Sequence, residues 1–223
     1  MTNTGEGSAE RSPLASTTVV HLLRHGEVAN PQGVLYGRIP GFHLSEDGRL
    51  MAKAAASFLA GRDVVALMSS PLERAVETAA PLSAQFGLDV STDERLIEPW
   101  NYFEGTRFGP LSGALRNPAN WRHVYNPFRP SWGEPYASIA ARMLDVMADA
   151  VRAARGHEAV CVTHQLPIWI ARRAAEGKPL WHHPAHRQCA LASVTSFTYS
   201  GDVITGVSYA EPAGHSNPQV SGA

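Results

Sequence analysis

The chain has 223 residues, of which 44% are hydrophobic and 17% charged, and its formal net charge is −1. That length and balance fit one domain with a sizeable core. A near-neutral chain offers no overall field for nucleic acid or an anionic membrane, so any anionic ligand has to be held by locally grouped Arg and His. No run approaches the ~18 consecutive apolar residues of a membrane span. Met1–Ser16 lacks the apolar stretch of a signal peptide and reads as a disordered arm. Cys161 and Cys189 each adjoin an apolar run and read as buried thiols rather than a disulfide framework. A cytoplasmic, reducing location is therefore expected.

Thr17–Leu23 is β-branched and apolar, a buried strand closed by Arg24-His25-Gly26. After a Gly/Pro-rich loop, Leu44-Ser45 opens a helix with Leu50, Met51, Ala54, Ala55, Phe58 and Leu59 at helical spacing. Val64–Met68 is a second strand. Ser70-Pro71-Leu72-Glu73 has the form of a capping box, with Pro at the first helical position, and starts a helix to about Phe86. A short strand near Leu88–Ser91 leads to Glu94–Glu98. Residues 99–133 are dense in Pro, Gly, Asn and aromatics, the composition of an irregular insertion over the sheet. Its aromatics Trp100, Tyr102, Phe103, Trp121, Tyr125, Phe128 and Trp132 suit a substrate wall or a satellite core beneath a long loop. A helix from about Pro135 to Ala154 aligns Ile139, Met143, Met147 and Ala150. Ala159–Thr163 is the next strand, ended by His164, and Leu166–Ala175 is helical. Ala190–Tyr199 and Val203–Tyr209 flank Ser200-Gly201-Asp202 as a closing hairpin.

Strands alternating with helices predict a three-layer α/β/α fold, a mainly parallel sheet with helices on both faces. The expected organisation is one catalytic domain over residues 17–210, preceded by the arm (1–16) and followed by a flexible tail (211–223). In such folds ligands bind beyond the carboxyl ends of the strands. Three predicted strands deliver basic groups there: Arg24 and His25 from the first, Arg74 from the helix after the second, His164 from a later one. Glu98, on the loop after Leu96-Ile97, reaches the same rim. Two arginines, two histidines and a carboxyl group suit phosphoryl transfer. Guanidinium forks hold phosphoryl oxygens at any working pH. A neutral imidazole is a competent nucleophile, and a carboxylic acid with a raised pKa can protonate the leaving alkoxide.

The ordered set Leu23-Arg24-His25-Gly26-Glu27 with Asn30, Gly37-Arg38, Leu44 through Gly48, Ser69 through Ala75 with Thr78, Leu96-Ile97-Glu98 and Val162-Thr163-His164 resembles the histidine phosphatase superfamily, which includes cofactor-dependent phosphoglycerate mutases. The resemblance implies a phosphoglycerate mutase-like fold and a phosphohistidine on His25. It makes Arg24, Arg74 and His164 the phosphoryl-holding groups, Glu98 the proton donor, and Asn30 and Arg38 lining residues of the phosphate or substrate pocket. No metal and no cofactor are expected, and the expected partner is a small phosphorylated metabolite. Mutases typically place a basic residue directly after the proton donor, where this chain has Pro99 and Trp100. Trp121-Arg122-His123-Val124-Tyr125-Asn126-Pro127 carries one Arg where the mutase insertion usually has a pair, and the mutase tryptophan before Asn30 is missing. These departures favour hydrolysis of a small organic phosphate monoester by water. The alternatives are a phosphoglycerate mutase and a non-catalytic relative that binds a phosphorylated ligand. Trp181-His182-His183-Pro184-Ala185-His186-Arg187 matches no standard zinc spacing and reads as a polar connector before the hairpin, which if functional would shape the pocket entrance.

Overall fold

The computed structural model describes residues 16–106 and 133–214. Its six strands are β1 (Thr17–Arg24), β2 (Val64–Ser69), β3 (Ser91–Thr92), β4 (Glu158–Thr163), β5 (Val194–Ser200) and β6 (Val203–Ala210), in the order β3-β2-β4-β1-β5-β6. The first four run parallel, β5 runs antiparallel to β1, and β6 turns back antiparallel to β5 as the expected hairpin, so the sheet is mixed. The described helices are α1 (Glu46–Phe58), α2 (Glu73–Phe86), α3 (Tyr136–Ala153) and α4 (Gln165–Ala175).

Because strand side chains alternate, each central strand feeds two cores. Leu22, Ala159, Cys161 and Phe197 face α3 and α4. Leu23, Val160, Val162 and Val194 face α1 and α2. Helices thus cover both faces. Among the described residues no helix is long and apolar enough to cross a membrane.

Several sequence expectations shift. Ser45 does cap α1, accepting from the Gly48 amide at 2.9 Å. The buried face of that helix, however, is Gly48, Ala52, Ala55 and Ala56, while Leu50 and Phe58 are exposed. Small side chains let the helix approach its neighbours, and this outweighs the larger apolar residues. The capping box at Ser70 does not form: α2 begins at Glu73 after Leu72, with no side-chain cap. The Ser70 hydroxyl pairs with His164 instead, and the Glu73 carboxylate accepts from the Gly41 amide. The short strand lies at Ser91–Thr92 rather than 88–91, and β5 begins at Val194 rather than Ala190. Most of the 99–133 insertion, with Trp121, Tyr125, Phe128 and Trp132, lies outside the described residues, as do most of the arm and tail.

The register brings the site together. Arg24 pairs with Thr163 and Ser69 with Val162, so β1, β2 and β4 end at one rim. β5 is antiparallel to β1, with Leu23 opposite Val194, so the chain enters β5 at that same rim.

Candidate active site

His25 sits just past β1, and its amide donates to the Thr163 carbonyl at 3.0 Å. Its Nδ1 lies 2.8 Å from the Gly26 carbonyl oxygen. A carbonyl only accepts, so Nδ1 carries the proton and Nε2 the lone pair. Burial pushes the imidazole well below its ordinary pKa; the Arg74 and Arg24 charges add to this, and the bond to Gly26 opposes it. The ring is therefore neutral at neutral pH and lines a cavity of about 130 Å³.

The loop that carries His25 is pressed against the first turn of α1. A Cβ on Gly26 would overlap the Gly48 carbonyl, and one on Gly48 would overlap the Glu27 carbonyl. The Ser45 amide donates to the Glu27 carbonyl at 3.0 Å, and the Gly26 amide donates to the Thr78 hydroxyl at 3.1 Å. Gly48→Ala should accordingly cost about 2 kcal/mol or more through forced backbone movement. Thermal unfolding and turnover together check this. An unchanged melting temperature with unchanged activity would contradict the close approach.

Arg74, in the first turn of α2, is fully buried. One Nη2 proton goes to the Gly37 carbonyl at 2.7 Å, and the guanidinium carbon lies 4.7 Å from the centre of the Tyr36 ring. Its Nε and Nη1 have no hydrogen-bond partner among the described residues. Buried guanidinium donors left in that state are costly, and an anion beside them would satisfy them. Arg24 is also buried, with Nη1 donating to the Cys189 carbonyl at 2.7 Å.

His164, just past β4, is fully buried, and its ring centre lies 5.1 Å from that of His25. Nε2 pairs with the Ser70 hydroxyl at 2.8 Å, while Nδ1 faces Arg74 Nη2 at 3.4 Å and a Glu98 carboxyl oxygen at 3.6 Å. Burial, then Arg74, His25 and Arg24, hold its pKa well below the ordinary value. Glu98 lines the same cavity. Burial raises its carboxyl pKa, partly offset by Arg74, Arg187, Arg24 and Arg142.

Five of the sequence candidates, Arg24, His25, Arg74, Glu98 and His164, are thus brought to one rim. Two others take supporting positions. Asn30 closes a turn, donating to the Val34 carbonyl at 2.8 Å and accepting from the Val34 amide at 3.2 Å. Arg38 donates from Nε to the Glu98 backbone carbonyl at 2.5 Å and lies 3.5 Å from Glu134, so it braces the Glu98 loop. Sequence reasoning missed Gln165 and Glu134, which line the cavity, and gave Arg187, which also lines it, no role beyond the connector. The available signal was topological: β5 has to start at this rim, so the connection from α4 must return there.

The family model of the histidine phosphatase superfamily (branch 1) matches residues 20–212. The uncharacterized protein Rv0525 of Mycobacterium tuberculosis is 57% identical over 88% of this chain and 97% of its own length. A 2,3-bisphosphoglycerate-dependent phosphoglycerate mutase of Thermoplasma acidophilum is 34% identical over 67% of this chain and 72% of its own. Among solved structures, the native mycobacterial glucosyl-3-phosphoglycerate phosphatase superposes with a TM-score of 0.67 at 27% identity, covering 87% of this chain and 96% of that one. With residues 20–212 matched, and with a phosphoglycerate mutase-like α/β fold, the chain belongs to the histidine phosphatase superfamily.

Proposed function

We propose that the protein is a metal-independent phosphatase that hydrolyses a small organic phosphate monoester through a phosphohistidine on His25. The observation that carries this reading is the tautomer of His25. Its Nδ1 proton is spent on the Gly26 carbonyl, so a neutral Nε2 lone pair remains for the cavity. Nε2 attacks phosphorus as the phosphorus–oxygen ester bond breaks, and Glu98 gives its proton to the departing alkoxide. Arg74 and Arg24 supply the positive charge around the phosphoryl oxygens, which leaves no step that calls for a metal ion. Glu98, now ionised, then takes a proton from water as that water displaces His25 and orthophosphate leaves.

The test is a quenched reaction with an aryl phosphate. It should trap phosphate on the protein in an acid-labile, base-stable bond, and EDTA should leave turnover unchanged. A phosphoenzyme stable in acid, or strict dependence on added metal, would overturn the mechanism.

A second reading, phosphoglycerate mutase, has the Thermoplasma relative in its favour. Against it, Pro99 stands where the mutases have a basic residue. Isomerisation of 3-phosphoglycerate much faster than phosphate release would select the mutase.

A further inference from the structure

The end of the sheet opposite the active site holds a second cavity, which the phosphoryl chemistry leaves unused. α3 and α4 pack on the same face of the sheet, and both start at the active-site rim. With 18 residues α3 extends about 27 Å from that rim, whereas α4, with 11, extends only about 16 Å. Past the end of α4, between the last turns of α3 and the β5–β6 hairpin, lies a cavity of about 460 Å³. Leu144, Ala148 and Val151 line one wall at helical spacing, and Tyr199 and Ile204 line the other. The exposed Arg152, Arg155 and Asp202 complete the lining.

The chemistry of this lining narrows its occupant. Both guanidinium groups are already paired, Arg155 with Asp202 at 3.1 Å and Arg152 with Asp149, so no surplus charge awaits an anion. Tyr199 is only 5% exposed, and among the described residues its hydroxyl has no hydrogen-bond partner. Burial pushes its pKa up to about 12, so it stays a neutral donor that needs an acceptor. The fitting occupant is uncharged and mainly apolar, and it brings a carbonyl.

Such a segment arrives beside the cavity. The described chain starts at Ser16, and a Cβ on Gly156 would lie 3.5 Å from Ser16 Cβ. The Gly156 amide donates to the Thr18 hydroxyl at 2.9 Å, and Thr17 lies opposite Ser200. Gly156 directly follows Arg155, and Ser200 stands two residues before Asp202, so Ser16 sits between two lining residues of the cavity. Val20 and Leu22 alternate onto the α3 face, and Ser16 continues that alternation. Immediately before it comes Ser12-Pro13-Leu14-Ala15. This stretch has no charge, and Leu14 is the only large apolar side chain between Met1 and Ser16. Two residues of chain span up to about 7 Å, enough to carry Leu14 from Ser16 into the cavity.

We propose that Ser12–Ala15 docks in this cavity, with Leu14 against Leu144, Val151 and Ile204 and a backbone carbonyl of the segment accepting from the Tyr199 hydroxyl. Pro13 suits the site because it brings an apolar ring and no N–H to be satisfied. The docked segment clamps the start of β1, the end of α3 and the β5–β6 hairpin together.

The experiment is limited trypsin digestion of the full chain. Arg11 is the only Lys or Arg before Arg24, and cutting after it requires the following residues to leave the cavity and enter the protease. Release of Met1–Arg11, followed by mass spectrometry, should be about 10-fold or more slower than from a synthetic peptide of residues 5–18, the protection that burying one leucine side chain supplies. Leu14→Asp and Leu144→Asp, one on each side of the contact, should each raise the rate toward that of the free peptide. Tyr199→Phe should raise it by a smaller factor. Leu50→Asp, at an exposed leucine on α1, should leave it unchanged. Far-ultraviolet circular dichroism should be the same for all four variants.

Cleavage as fast as in the peptide would overturn the inference. So would protection that survives Leu144→Asp, which would place the segment elsewhere on the surface. Protection that grows with protein concentration would give the cavity to a second copy of the chain instead.

Discussion

Replacing His25 by alanine should lower the first-turnover rate on an aryl phosphate by about 10⁴-fold or more and abolish the trapped phosphoenzyme. The size follows from what remains. Arg24, Arg74 and His164 are buried and held by their own partners, the Cys189 carbonyl, the Gly37 carbonyl and the Ser70 hydroxyl. The anion cage should therefore survive the substitution and still bind a phosphoryl group, while the covalent route is lost. Phosphate or vanadate affinity should change far less than turnover. Free imidazole, entering the space left by the side chain, should restore part of the rate. Full turnover in His25→Ala would end the phosphohistidine mechanism. A fall in anion affinity as large as the fall in rate would show instead that the substitution had disrupted the cage.

Glu98→Gln should separate substrates by their leaving groups. An alkoxide must be protonated as it departs and a phenolate need not be, so the first turnover of an alkyl phosphate should slow by about 10²- to 10³-fold and that of an activated aryl phosphate by less than about 10-fold. The first turnover is the proper readout, because Glu98 is also the proposed base for hydrolysis of the phosphoenzyme. The pH dependence has a definite sign. Burial raises the Glu98 pKa, and the acid has to be protonated to act, so the alkyl phosphate rate should fall as pH rises through that elevated value. Burial, Arg74 and Arg24 lower the His25 pKa, so the nucleophile stays unprotonated until well below the usual histidine range, and the acid limb lies there. The alkaline limb should vanish in Glu98→Gln. Its persistence, or equal slowing of both substrates, would remove Glu98 from the donor role.

The sequence revealed those parts of the site that hang on regular structure. Arg24, His25 and His164 follow buried strands whose apolar runs are plain, and Arg74 follows the next strand by a few residues. Parallel strands put their ends together whatever the loops do. Glu98 was legible through its place after Leu96-Ile97, where Leu96 is fully buried and fixes the loop. Arg187 had no such frame. It lies on a connection without periodicity, and the histidines beside it drew attention as metal ligands, whereas His182 spends one nitrogen on Leu180 and the other on Arg187. Asn30 shows a local use that the motif does not contain. Short amide side chains readily bond their own backbone, and here that local turn claims both ends of the amide. The capping box failed for a related reason: the Ser70 hydroxyl was the nearest partner for a buried imidazole, a tertiary demand that a four-residue pattern does not contain.

The position of β4 between β1 and β2 has a consequence for how the protein comes into being. The parallel partner of the first strand is made of residues more than a hundred positions later, with Leu23 paired to Val162. The rim is closed later still, by the segment that carries Arg187 and Cys189. An emerging chain therefore holds His25, the proposed nucleophile, on an unpaired strand edge until almost the entire domain has been translated. Nascent chains truncated before residue 158 should be inactive and prone to association. Phosphatase activity should appear only together with the completed sheet.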